Sequence, residues 1–186
     1  SAASDVYKRQ GYILTYRGFD MLALKALVEG EVILSLGDVI GMGKEADVIS
    51  CLDPSGQIRV LKLHRLGVEF RQTRRVRPYI ARRRHISSLY ESRLAAEREY
   101  QALTRLHPVI RVPRPFAQNR HTVVMEYIQG DELQLIRQLE EEVALRIAQQ
   151  ILDFIILAYQ KAQAVHGDLS AYNCIITCLL YTSPSP

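Results

Sequence analysis

The sequence predicts an α+β fold of two lobes, in which an antiparallel, strand-rich lobe with one helix precedes a helical lobe. Three observations predict it. Two strand-like runs, 48–52 and 59–63, are separated by a short segment of turn-forming residues. A helical pattern at 88–106 is followed by another β-rich run at 122–128. A longer helical pattern then occupies 141–165, and 186 residues suffice for two small lobes.

The first ten residues are polar and carry no pattern, and a helix is predicted over 15–30. Gly30 is the expected end of this helix, since glycine is favoured just past a helix terminus. Its apolar residues recur at helical spacing, at Phe19, Leu22, Ala23, Ala26 and Leu27. From Gly37 onward the composition changes to that of strands and turns, so the strand-rich lobe is expected to begin there.

A glycine-containing turn at 41–47 joins two predicted antiparallel strands. It is not a Walker A loop, because that loop has four residues between its first glycine and Gly-Lys-Ser/Thr and then enters a helix. The pattern fits a kinase-type hairpin folded over a nucleotide, in which glycines let the backbone approach phosphates and a strand lysine supplies charge. The predicted ATP-contacting residues here are Gly41, Gly43, Lys44, Glu45, Ala46, Asp47 and Lys62.

The helix predicted over 88–106 carries Glu99 in the middle of an apolar stripe, whereas Glu97 points nearly the opposite way. The stripe consists of Ala95, Ala96, Leu103 and Leu106. A carboxylate buried there needs a partner, and Lys62 is the natural candidate. The two would form the pair of strand lysine and helix glutamate that kinases use. The alternative is a shifted helix register that leaves Glu99 at the edge of the stripe.

The β-rich run at 122–128 ends at Gly130, the pattern of a hinge between lobes. Adenine would bind the backbone around Glu126 to Ile128, with Met125 behind it. Simple core filling accounts for Met125 equally well. A short helix is predicted over 131–139.

The segment 166–173 has the composition of a catalytic loop. Asp168 is expected to orient or accept the proton of an attacking hydroxyl, and Asn173 to ligate Mg²⁺. Asp168 completes a predicted catalytic set with Lys62 and Glu99. Each of these residues alone has an ordinary explanation, as a turn, a surface lysine or a loop. Their joint order and spacing indicate a site for phosphoryl transfer.

The net charge is +4, and arginines crowd one short stretch. The ordinary explanation is a solvated surface segment. A polyanion also suits such a cluster, because clustered arginines release its counterions and bind phosphates through planar, paired hydrogen bonds. We predict nucleic-acid contact, with RNA-binding residues Arg71, Arg74, Arg75, Arg77, Arg82, Arg83 and Arg84.

Other classes of protein are disfavoured by what the sequence lacks. No apolar run approaches the ~18–20 residues that span a bilayer, and the first residues show no signal-peptide pattern. Cys51, Cys174 and Cys178 show no disulfide-like spacing. Reduced thiols in a cytosolic or nuclear protein are the expectation, with no membrane partner.

The chain resembles the Rio-type atypical serine/threonine protein kinases, and within that family the second subgroup, whose members carry an N-terminal winged helix. The matching segments are 41–47, 61–67, 89–96 and 166–173, and the resemblance covers roughly 12–177. The Leu-His-Arg-Leu-Gly run and the arginine-rich stretch are its most specific parts. The resemblance divides the chain into a non-matching end (1–10), the end of a winged-helix module with its linker (11–36), a kinase N-lobe (37–130, with an arginine-rich flexible insert at 67–92), a partial C-lobe with the catalytic loop (131–177) and a non-matching tail (178–186).

The resemblance implies a small two-lobed kinase fold that uses ATP and Mg²⁺. It also implies association with small-ribosomal-subunit precursors, their rRNA and other assembly factors. Turnover of ATP through a phosphoaspartate would then matter more than phosphorylation of other proteins. The expected location is the cytoplasm, with shuttling through the nucleus.

The sequence departs from the family pattern in several places, and the upstream helices expected of a winged-helix module are not found in it. Ala46 stands where the family usually has serine, and Ser87-Ser88 stands near an expected tryptophan. No Asp-Phe-Gly-like motif follows Asn173, so the C-lobe is expected to be incomplete. We expect these 186 residues alone to bind ATP weakly and to turn it over little. Two alternative functions remain open, an ATP-gated RNA-binding scaffold and a small-molecule phosphotransferase of the aminoglycoside or choline kinase type.

Overall fold

The first helix packs against the sheet through its own apolar face. The computed structural model describes residues 14–43, 45–66 and 78–177. For residues 78–87 it describes the backbone only. Helix α1 spans Tyr16–Glu29, and the Thr15 hydroxyl caps it by accepting the Gly18 N–H at 3.2 Å. Gly30 ends the helix by donating to the carbonyls of its last turn. The predicted helix over 15–30 is confirmed.

The strand-rich lobe is a five-stranded antiparallel sheet in the order β1-β2-β3-β5-β4. Its strands are β1 (Ser35–Met42), β2 (Ala46–Leu52), β3 (Ile58–His64), β4 (Pro115–Asn119) and β5 (Thr122–Glu126). The proline at the start of β4 lies on an edge strand, where its missing N–H is tolerated. The Asp53 carboxylate organises the turn between β2 and β3. Hydrogen bonds from the Ser55 hydroxyl and from the backbone and side chains around it lower the Asp53 pKa to about 2.

Alternation along β3 gives the sheet two covered faces. Leu61 and Leu63 are buried with Leu27 of α1 and Val124 of β5. The other face is covered by α2 (Pro78–Leu106), whose Ala96 is buried with residues of β5. Lys62, between the two buried leucines, therefore points towards α2.

Helix α2 begins ten residues before the predicted 88–106 helix. Residues 78–92, which we expected to belong to a flexible insert, are therefore helical. The other part of that insert, 67–77, lies outside the described residues. The termini 1–13 and 178–186 lie outside them as well.

The helical lobe begins with a strand. The prediction of a short helix over 131–139 was therefore wrong. Strand β6 (Asp131–Glu132) pairs with β7 (Ile175–Ile176), and only a 3-10 turn follows at Leu133–Leu135. Gly130 makes the pairing possible, because a Cβ there would lie 2.4 Å from the Ile176 carbonyl oxygen. The pairing fixes the end of the predicted catalytic loop against the segment that follows the hinge.

Helix α3 spans Glu141–Ala162 and confirms the longer predicted helix. It buries Ile147, Ala158 and Ala162 and leaves Leu145 and Tyr159 exposed. Among the residues that the structure describes, no helix is both long and apolar enough to cross a membrane.

Candidate nucleotide site

The predicted contact between Lys62 and Glu99 is confirmed. Lys62 Nζ donates to Glu99 Oε1 at 2.7 Å, and the two side chains are 30% and 25% exposed. Lys62 reaches α2 because it lies on the face of β3 opposite Leu61 and Leu63. Glu99 reaches Lys62 because it lies on the face of α2 that packs against the sheet, as predicted. The catalytic role of the pair remains a prediction.

His64 is a third member of this cluster, and no role was predicted for it from the sequence. It lies two residues after Lys62 on the same face of β3, and its Nε2 donates to Glu99 Oε2 at 2.6 Å. Burial alone would raise the pKa of Glu99, but the hydrogen bond from His64 and the charge of Lys62 lower it below 4.5. Glu99 is therefore a carboxylate at neutral pH, with a separate donor on each oxygen. The i, i+2 spacing of Lys62 and His64 was the signal that could have found this.

The glycine turn, residues 41–47, is closed by a hydrogen bond from the Gly43 N–H to the Ala46 carbonyl at 2.9 Å. A Cβ at Gly43 would lie 3.3 Å from that carbonyl, so the turn is tight at this position. Glu45 and Asp47 are both tied to Arg65, through a backbone hydrogen bond and an ion pair respectively. Lys44 lies outside the described residues.

The predicted adenine-binding segment follows directly from β5. Met125 is buried with Ala96 and Val123 between the sheet and α2, where it fills the core. The backbone N–H of Glu126 donates to the Arg114 carbonyl at 2.8 Å, and Ile128 is half-buried before Gly130. The segment is thus held by β4 on one side and by the β6–β7 pair after it.

The predicted catalytic loop is organised by Asn173. Its amide nitrogen donates to the Asp168 carbonyl at 2.7 Å, and its amide oxygen accepts the Ser170 N–H at 2.9 Å. The Asp168 side chain is exposed. The amide oxygen of Asn173 keeps a second lone pair, so it can still bind a metal ion. Within the described part of the chain, no three His, Cys, Asp or Glu residues cluster as a metal site. Mg²⁺ in nucleotide sites commonly takes one or two protein oxygens together with phosphate oxygens and waters, and the Asn173 amide oxygen could be one of them.

The arginines predicted to bind RNA fall largely beyond what the structure describes. Arg71, Arg74, Arg75 and Arg77 lie outside the described residues, and Arg82, Arg83 and Arg84 lie on the first turns of α2 with side chains that are not described. A separate open depression of about 350 Å³ contains none of the predicted site residues. It is lined by Arg93, Glu97, Gln118, Asn119 and Arg120.

Comparison with known proteins shows the family to which the chain belongs. A family model of the RIO domain matches residues 47–179. The RIO-type serine/threonine-protein kinase Rio2 of Methanocaldococcus jannaschii is 37% identical, over 89% of this chain and 63% of that protein. The serine/threonine-protein kinase rio2 of Schizosaccharomyces pombe is 38% identical, over 90% of this chain and 48% of that protein. A solved structure, the Rio2 kinase–ADP/Mg²⁺–phosphoaspartate complex from Chaetomium thermophilum, has a TM-score of 0.76 and 35% identity.

That structure match covers 90% of this chain and 49% of the other chain. These comparisons confirm the predicted family, its second subgroup and the α+β fold class. The chain spans between 48% and 63% of the length of these relatives.

Proposed function

Because this chain belongs to the RIO domain family, we propose that its protein is an ATP-dependent serine/threonine kinase and ATPase that acts in maturation of the small ribosomal subunit. The observation that carries the proposal is the 2.7 Å contact between Lys62 Nζ and Glu99 Oε1. A strand lysine held by a helix glutamate is the arrangement by which kinases position the lysine that binds phosphate. The relatives named above are serine/threonine-protein kinases, and one is a complex with ADP and Mg²⁺.

The residues of the site suit ATP and Mg²⁺. The Lys62 ammonium would bind phosphate oxygens, and the backbone of the glycine turn would cover them. Asn173 would offer its amide oxygen to Mg²⁺, which when bound neutralises charge on the phosphates. Asp168 would hold the attacking hydroxyl and accept its proton, a role its exposed side chain allows.

The role in ribosome maturation is supported by charge and by family. The seven arginines between 71 and 84 accompany a net charge of +4 and suit a phosphate backbone. We propose that they contact rRNA of a small-subunit precursor, alongside assembly factors, in the cytoplasm after passage through the nucleus. Replacing Arg82, Arg83 and Arg84 with glutamine should weaken RNA binding. It should also make the plot of log affinity against log salt concentration less steep, by the release of about three fewer counterions. An unchanged salt slope would contradict rRNA contact by these residues.

Turnover tests the enzymatic proposal. In the full-length protein, Mg-ATP hydrolysis and phosphoryl transfer should fall by at least about 100-fold in Asp168→Asn, because the group that positions the nucleophile is lost. Asp38→Asn, an exposed carboxylate on β1, is the control and should leave turnover unchanged. Wild-type turnover that survives Asp168→Asn would contradict the assignment.

An ATP-gated RNA-binding scaffold is the second candidate. Ala46 favours it, because this position in the turn has a methyl group where the family usually offers a hydroxyl donor to phosphate. A scaffold would bind Mg-ATP and RNA without releasing phosphate, so the same turnover assay separates the two functions.

A further inference from the structure

Arg65 connects helix α1 to the glycine turn. Its Nε donates to Asp47 Oδ2 at 2.7 Å, while Nη1 and Nη2 donate to the two oxygens of Asp20 at 2.6 and 3.2 Å. Its backbone N–H donates to the Glu45 carbonyl at 2.7 Å. One residue therefore holds the glycine turn by two hydrogen bonds and α1 by two more.

The alternation of β3 explains why Arg65 reaches α1. Leu61 and Leu63 face α1, and Arg65 continues that row just past the strand end, whereas Lys62 and His64 face α2. The lysine of the nucleotide site and the residue that holds the turn thus come from one run of chain but lie on opposite faces of the sheet.

The ion pairs of Arg65 with Asp20 and Asp47 are largely buried, and their geometry is fixed by the guanidinium. The side chains of Arg65, Asp20 and Asp47 are 17%, 19% and 25% exposed, so solvent screens their ion pairs only in part. A planar guanidinium fixes both edges at once, so the position of Asp47 depends on that of Asp20. Asp20 is itself held by the fully buried His121, whose Nε2 lies 2.8 Å from Asp20 Oδ1 and whose ring stacks on Phe19.

The charge state of Asp20 suits this role. Burial alone would raise its pKa, but hydrogen bonds from His121 and Arg65 and the charge of Arg65 lower it. Asp20 is a carboxylate at neutral pH and accepts hydrogen bonds from both Nη1 and Nη2 of the Arg65 guanidinium.

We propose that Arg65 is a positioning residue for the glycine turn, and that α1, through Asp20, controls how firmly the turn holds nucleotide phosphates. This inference rests on the proposed function, because it takes the turn to be the phosphate-binding element. The coupling is reciprocal. A partner that binds α1 and separates it from the sheet would weaken nucleotide binding. A bound triphosphate would in turn stabilise the contact between α1 and the sheet.

The test compares Mg-ATP with adenosine, which lacks phosphates. In the full-length protein, Asp20→Asn should weaken Mg-ATP binding by about fivefold or more and leave adenosine binding unchanged. A global loss of structure would weaken both ligands. Glu29→Gln is the matched control on the same helix, since Glu29 only forms an exposed pair with Lys25 at 3.6 Å. It should change neither affinity.

Two further variants keep the test decisive. Arg65→Lys preserves the charge but not the planar fork, so it should show the same selective loss even if Asp20→Asn folds poorly. In a double-mutant cycle for Mg-ATP affinity, Asp20→Asn and Asp47→Asn should be non-additive, because both act through Arg65.

The outcomes are distinguishable from failure of the proposed function. If wild type binds Mg-ATP and Lys62→Met abolishes binding, while Asp20→Asn and Arg65→Lys bind it normally, the nucleotide site stands and the role of α1 is overturned. Equal losses for Mg-ATP and adenosine also overturn it. If wild type does not bind Mg-ATP, the proposed function and this inference fail together.

Discussion

Replacing Glu99 with glutamine removes the charge at the centre of the nucleotide site while preserving the shape of the side chain. In the native protein one oxygen of Glu99 accepts from Lys62 at 2.7 Å and the other from His64 at 2.6 Å. Glutamine keeps one acceptor oxygen, so one of these hydrogen bonds is lost and the other loses its negatively charged acceptor. Lys62 is then left half-buried without a counter-charge.

The expected cost lies between two limits. Exposed ion pairs contribute about 0–1 kcal/mol, and breaking a fully buried pair costs about 3–5 kcal/mol. Glu99 and Lys62 are 25% and 30% exposed, so Glu99→Gln should lower the free energy of unfolding by about 2 kcal/mol. For a domain of this size that is about 4–8 °C in Tm.

The assay is thermal and urea unfolding of Glu99→Gln beside Glu97→Gln. Glu97 lies on the same helix but lines the open depression away from Lys62, so its variant should stay within about 0.5 kcal/mol of wild type. Because the pKa of Glu99 is lowered by folding, its contribution is complete above 4.5, the ordinary pKa, and disappears as pH falls through the folded-state pKa. Equal losses in the two variants, or a Glu99→Gln effect that persists at low pH, would refute the reasoning.

Three smaller predictions follow from particular contacts. His64→Ala should lower the free energy of unfolding by about 1–2 kcal/mol, since it leaves a carboxylate oxygen without its donor, and His64→Gln should restore part of that loss; equal melting of the two variants would contradict a hydrogen-bonding role. Gly130→Ala should lower the free energy of unfolding by about 1–3 kcal/mol and speed amide exchange at Ile176, because the alanine Cβ would overlap the Ile176 carbonyl oxygen. Exchange at the wild-type rate would argue against the β6–β7 pairing. Burial raises the pKa of both thiols, that of Cys51 to about 11, but Cys51 is fully buried whereas Cys174 is only half-buried. A thiol reagent should therefore label Cys174 in the native protein and react with Cys51 only after unfolding, and native labelling of Cys51 would contradict its place in the core.

Local patterns predicted much of the fold because they report which face of an element is buried. The 3.6-residue period placed Glu99 on the inner face of α2, and that placement predicted its contact with Lys62. The strands came within two residues of β2 and β3, since turn residues bound them on both sides. The start of α2 was missed because its first turns are rich in arginine and carry no apolar stripe.

Pairings between distant segments could not be read from such patterns. β6 was taken for part of a helix because its partner, β7, lies more than 40 residues further along the chain. The contacts of Arg65 with Asp20 and Asp47 join residues 45 and 18 positions apart, and each residue alone looks like an ordinary surface charge. Charged side chains of this kind carry no periodic signal, so only the folded arrangement shows what they hold.

The most direct test of the nucleotide site is calorimetric titration of the full-length protein and its Lys62→Met variant with Mg-ATP. Methionine fills similar space without the charge, so Lys62→Met should bind Mg-ATP at least tenfold more weakly while keeping a cooperative melt. Equal affinity in the two proteins would contradict the assignment of Lys62 to the phosphates, and with it the account of this cluster as a nucleotide site.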